Sequence, residues 1–215
     1  MDLHWDILNS WALKDLLSCD EAQANPLFLP NLCEGALTPG RVLTLIHACL
    51  HRAQHVFAPY IVDGILYFGG DRLIWLYDID LLARTLSSEQ WDEVCEVAVK
   101  KGVAGLCLDG LDAAAAQLGT RYPTKVRTRI SSAKRQTRAG RYLESTLVAR
   151  AWQDWRALPG LDMKLADMFW RLFPPATFMR AKYPDIADRW LPLLYARRNL
   201  AFVRGARRSK SRPAR

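Results

Sequence analysis

Leu73-Ile74-Trp75-Leu76-Tyr77-Asp78-Ile79-Asp80-Leu81-Leu82-Ala83 is the stretch on which the fold class turns. Read with period two, it is a buried strand carrying two carboxylates, Asp78 and Asp80, on one face, where both could meet a divalent ion. Read with the helical period, it puts Trp75, Ile79, Leu82 and Leu86 on one stripe. The two carboxylates then diverge by about 200°. The run from Asp71 to Leu86 has helical length and helical spacing, so the helix reading prevails. Gly69-Gly70 upstream of Asp78-Ile79-Asp80 therefore imitates a glycine turn and paired-acid strand without being one.

Outward from this segment, helical punctuation dominates. Thr38-Pro39 marks the start of a helix running to about Phe57. Ser87 with Gln90 forms a capping box for a helix that stops at Gly102, and an alanine-rich helix from Leu106 to Leu118 ends at Gly119. Further helices are expected from about Arg141 to Leu158, from Asp162 to Phe173 before Pro174-Pro175, and from near Asp185, with Pro192 kinking the last. Strand signals are confined to two places. Met1, Leu3, Trp5 and Ile7 alternate with Asp2, His4 and Asp6, and residues 60–68 read as a short hairpin around Asp63-Gly64. The expected architecture is a mainly α helical bundle with one N-terminal strand and that hairpin. Its parts are a strand segment 1–10, a helical domain 11–120, a basic linker 121–141, C-terminal helices 142–203 and a disordered basic tail 204–215.

Half of the 215 residues are hydrophobic and eight are tryptophan, enough to build a core. The opening residues lack the basic and apolar regions of a secretory signal. The longest apolar stretch, Val56 to Phe68, is broken by Pro59, Asp63 and Gly64, so no membrane insertion is expected. Five cysteines without a CxxC pair suggest buried, reduced thiols and a cytoplasmic protein. The formal charge of +8 is uneven: residues 121–141 hold eight Lys or Arg and no acid, and the tail from Arg204 holds six more, leaving −6 elsewhere. Such runs are solvated segments or a nucleic-acid footprint.

Two constellations could carry chemistry. Asp2, His4 and Asp6 share one face of the opening strand, either as a polar edge or as metal ligands. His47, His51 and His55 lie one turn apart on one helix stripe. Zinc-protease helices place Glu beside the first histidine, whereas Ala48 and Arg52 stand beside these. Histidines packed against a neighbouring helix are the favoured reading.

An ordered set of blocks resembles a family of uncharacterised bacterial nucleotidyltransferases. Asp2-Leu3-His4-Trp5 resembles its "DLHW" strand, and Leu45-Ile46-His47-Ala48-Cys49-Leu50-His51-Arg52 a helix ending in Cys-x-His-Arg. Asp71 to Ile79 resembles its "LxWLYDI" helix. Leu172-Phe173-Pro174-Pro175, Met179-Arg180, Tyr183, Leu191-Pro192, Tyr195 and Arg197-Arg198 resemble its closing segment. The resemblance implies a small α/β domain followed by helices, in which three carboxylates hold Mg2+ and a nucleoside triphosphate. An acceptor oxygen attacks the α-phosphate and pyrophosphate leaves. Asp2 matches the third carboxylate, as catalytic residue and metal ligand, with His4 and Trp5 in support.

The Gly-Ser turn and first acidic strand that the resemblance places before DLHW have no match here. The expectation is a C-terminal portion, inactive as it stands, in which Met1 lies inside a longer frame or opens a remnant. A non-enzymatic helical interaction module, partner to a separate catalytic chain, and a nucleic-acid-binding protein using 121–141 and the tail are the alternatives. Acceptor and oligomeric state are open.

Overall fold

The computed structural model describes residues 10–56, 60–62, 65–67, 70–133, 137–186 and 190–209. The opening strand with Asp2, His4, Trp5 and Asp6 lies outside them, as do Asp63-Gly64 and the last residues of the tail. Among the described residues the protein is mainly helical and divides into two compact units, up to Ser145 and from Thr146.

The first unit opens with a 3-10 turn, Lys14–Leu16, and α1, Cys19–Ala24. Strands β1, Leu27–Phe28, and β2, Leu37–Thr38, pair antiparallel with Leu27 opposite Thr38. Then come α2, Arg41–Val56, and the hairpin β3, Tyr60–Val62, with β4, Ile65–Tyr67, in which Val62 faces Ile65. The helices α3, Leu73–Thr85, α4, Ser88–Lys100, α5, Ala104–Leu118, α6, Thr124–Ser132, and α7, Arg138–Glu144, complete it.

The core forms where α2, α3 and α5 pack together, with α4 against α2 and α5. Leu45, Ile46, Cys49 and Leu50 of α2 meet a layer containing Leu76 and Ile79 of α3 and Leu111 of α5, all buried. Fully burying one such side chain stabilises the fold by about 1.5–3 kcal/mol. Gly110 sets how closely the three helices approach. A Cβ there would lie 3.0 Å from the Cys49 sulfur and 3.4 Å from the Ile79 Cδ1. The anticipated Ser87 cap is present, with Ser87 accepting from the Gln90 N–H while the Gln90 side chain accepts from the Ser87 N–H, but the start expected at Thr38-Pro39 is not: Thr38 pairs in β2 and α2 begins at Arg41. Gly119 ends α5 at φ +70°, in the left-handed region open to glycine.

Segment 121–141, expected to be a linker, holds α6 and the start of α7. Val126 and Ile130, one turn apart, are completely buried, and α6 packs on α4 and α5. Two apolar positions were enough to dock a helix whose composition is otherwise that of a solvated run. The β1–β2 pair and α1 had no expected counterpart. Of the five thiols, Cys49, Cys95 and Cys107 are buried, but Cys19 and Cys33 are exposed.

The second unit contains α8, Leu147–Ala157, α9, Leu161–Leu172, α10, Ala176–Lys182, a 3-10 turn at Pro184–Ile186, and α11, Leu191–Ser209. The single helix expected from Arg141 to Leu158 is broken at Ser145-Thr146. Both residues are extended, and the Thr146 hydroxyl accepts from the Ala149 N–H to begin α8. The expected break at Pro174-Pro175 is present between the end of α9 at Leu172 and the start of α10 at Ala176, but α10 itself had no expected counterpart. The last helix begins at Leu191 rather than near Asp185, so Pro192 sits in its first turn, where a missing N–H costs little. It continues to Ser209, through part of the stretch expected to be a disordered tail.

Candidate functional site

Helix α2 buries Val42, Leu45, Ile46, Cys49 and Ala53, and Arg52 falls on the same stripe. A guanidinium placed there must be fully paired, because an unpaired buried charge is strongly destabilising. It is. Arg52 Nε donates to Asp71 Oδ1 at 2.5 Å and Nη2 to Asp71 Oδ2 at 2.8 Å, a fork-to-fork pair, while Nη1 donates to Asp109 Oδ2 at 2.6 Å. Asp71 stands just before α3 and Asp109 lies in α5, so one side chain ties together the three core helices. Burial works to lower the Arg52 pKa, but its hydrogen bonds to Asp71 and Asp109 outweigh it and hold the pKa above its ordinary value.

One turn along, the histidine stripe packs against α3. His55 stacks on Trp75, with centroids 5.0 Å apart and planes 20° from parallel, and His51 meets His55 edge-on at 4.5 Å. The Arg72 guanidinium lies 5.5 Å from the Trp75 ring. Burial, then the neighbouring His55 and His47, push the His51 pKa down to about 4. Burial followed by Arg72 lowers that of His55. Both shifts favour the neutral imidazole, the form that packs on Trp75.

Asp78 and Asp80 separate as the helical reading requires: Asp78 is exposed and Asp80 buried. Asp80 accepts from the Thr120 hydroxyl at 2.8 Å and pairs with Arg84 Nε at 2.9 Å. Burial raises its pKa, but Arg84 and Thr120 prevail and hold it low.

The basic face of α6 is also committed. Lys125 pairs with Asp92 at 3.0 Å, Arg127 with Asp112 at 2.5 Å, and Arg129 with Glu96 at 3.3 Å. Among the described residues, no group of three or more His, Cys, Asp or Glu is placed to hold a metal. Asp71, Asp80 and Asp109 are each committed to an arginine.

Sequence reasoning brought out the histidine stripe and the decoy acids but not the Arg52–Asp71–Asp109 knot. The legible signal was Arg52 itself, a charge on an otherwise apolar helical stripe. Asp109, distant in sequence, gave none. The expected site residues Asp2, His4 and Trp5 lie outside the described residues. Comparison with protein-family models, with curated proteins and with solved structures finds no match to this chain.

Proposed function

We propose that the chain is the helical portion of a nucleotidyltransferase-type protein, in which a nucleotidyl group passes from a nucleoside triphosphate to an acceptor. The described helices serve this chemistry as a non-catalytic frame. One observation supports the reading: two sequence blocks that carry the resemblance, 45–52 and 71–79, meet in space through Arg52 and Asp71 and through His51, His55 and Trp75. The frame role rests on acids already bound to arginines. The residue proposed to hold magnesium is Asp2, flanked by His4 and Trp5; the two other carboxylates that the resemblance implies have no match in this sequence. Titration of the purified chain with nucleoside triphosphates, with and without Mg2+, tests the reading. Binding that needs Mg2+ and disappears in Asp2→Ala supports it; no binding, or binding indifferent to Asp2, refutes it.

A helical interaction module is the second reading, favoured by the outer face of α3. Leu73, Ile74, Tyr77 and Leu81 are all exposed there at helical spacing, opposite the buried Trp75, Leu76 and Ile79. This reading expects a stable complex on co-purification and no nucleotide binding, with Tyr77→Asp disrupting the complex. A nucleic-acid role has lost support at α6, whose cations face acids, and rests on the C-terminal arginines. Its sign would be affinity falling steeply with salt and indifferent to Asp2.

A further inference from the structure

The two units differ sharply in charge. Residues 146–215 carry fifteen Lys and Arg against five Asp and Glu, a net +10, so the first 145 residues stand at −2 of the total +8. The basic unit also leaves most of its large apolar side chains in water. Helix α9 buries none of its residues. Leu161, Leu165 and Phe169, successive turns of one stripe, are 70 %, 51 % and 57 % exposed, and Met168 and Leu172 extend the same side. Trp152 of α8, Phe178 of α10, and Leu193 and Leu200 of α11 are exposed as well. Cations lie over aromatic rings: Lys164 over Trp155, Lys182 over Phe178, and Arg197 over Tyr183.

We propose that the C-terminal unit docks peripherally on an anionic lipid surface, laying the Leu161–Leu165–Phe169 stripe into the interface while its arginines and lysines meet the headgroups. Exposed Leu, Phe and Trp in a strongly basic unit is the composition that favours this placement; α9 itself balances Asp162 and Asp167 with Lys164 and Arg171, and the cationic excess comes from α10 and α11, with Arg180, Lys182, Arg197 and Arg198. Basic residues near such a surface add attraction, and long cationic side chains reach headgroups while their stems cover apolar surface. No helix among the described residues is long and apolar enough to cross a membrane, so the attachment is superficial.

The same features argue against other occupants. A nucleic acid would use the charge but would not reward burying Leu165 and Met168. A second copy would bring one +10 unit against another. A protein partner requires a close-packed, shape-matched centre, whereas here the exposed apolar side chains are spread over four helices, a distribution that a fluid interface accepts.

The test is co-sedimentation of the full chain with vesicles of pure phosphatidylcholine and of phosphatidylcholine mixed with phosphatidylserine. Binding is expected to the mixed vesicles, to weaken with salt, and to fall roughly tenfold or more in the double variant Leu165→Ser, Phe169→Ser, which forfeits two apolar insertions. Both positions are more than half exposed, and thermal melting verifies that the variant folds. Equal binding to both vesicle types overturns the proposal. So does binding that the double variant leaves unchanged, because charge alone would then suffice. Absence of vesicle binding also overturns it, whether the chain instead captures an oligonucleotide or self-associates. Neither substitution touches Asp2, so this inference and the nucleotidyl reading fail separately.

Discussion

Arg52 is the residue on which the packing of α2, α3 and α5 depends, because its side chain is 5 % exposed and its charge is shared between two carboxylates. Arg52→Met is expected to lower unfolding free energy by about 3 kcal/mol in urea denaturation, since it leaves Asp71 and Asp109 beside an apolar side chain. Arg52→Lys should recover little of this, because an ammonium cannot reproduce the two-pronged pair with Asp71. His51 links the same region to pH. Its pKa is about 4 in the folded protein against an ordinary 6.5. As pH falls below 6.5 the unfolded chain takes up a proton that the folded chain refuses until about 4. The stability conferred by a neutral His51 is thus complete above pH 6.5 and lost as pH falls towards 4. Thermal melting across that window should show a shallower decline in His51→Gln than in the unaltered protein. His55, shifted in the same direction, leaves a residual slope.

At the scale of elements, local signals decided most helix boundaries and long-range packing decided the exceptions. The Ser87 capping box, Gly119 and the helical stripe of α3 are short-range features, and each element formed where they placed it. Helix α6 differs. Its composition is basic, and only the burial of Val126 and Ile130 together with ion pairs to α4 and α5 converts it into a docked helix. Ile130→Ala should therefore cost about 2–4 kcal/mol in thermal or chemical unfolding, as for other fully buried aliphatic truncations. Arg127→Gln, at an exposed pair, should cost less than about 1 kcal/mol. A true linker would tolerate both equally. The break at Ser145-Thr146 was written in the sequence as two good capping residues, but the apolar period running through it concealed the stop.

Across the whole molecule, a mildly acidic unit with a closed helical core stands in the same chain as a basic unit with open apolar faces. The first has a core of its own, drawn from α2 through α6. A protein ending at Ser145 is accordingly expected to melt cooperatively with helical circular dichroism; loss of cooperativity would show that the core depends on residues beyond 145.

The sequence by itself determined the mainly helical class, the exclusion of Asp78-x-Asp80 as a converging pair, and the caps at Ser87 and Gly119, because periodicity and capping act within a few residues. Tertiary structure alone decided that residues 124–132 pack and that Asp71 and Asp109 converge on Arg52. Those outcomes depend on groups up to 57 positions apart meeting in a low-dielectric core, and neither period nor composition records such meetings.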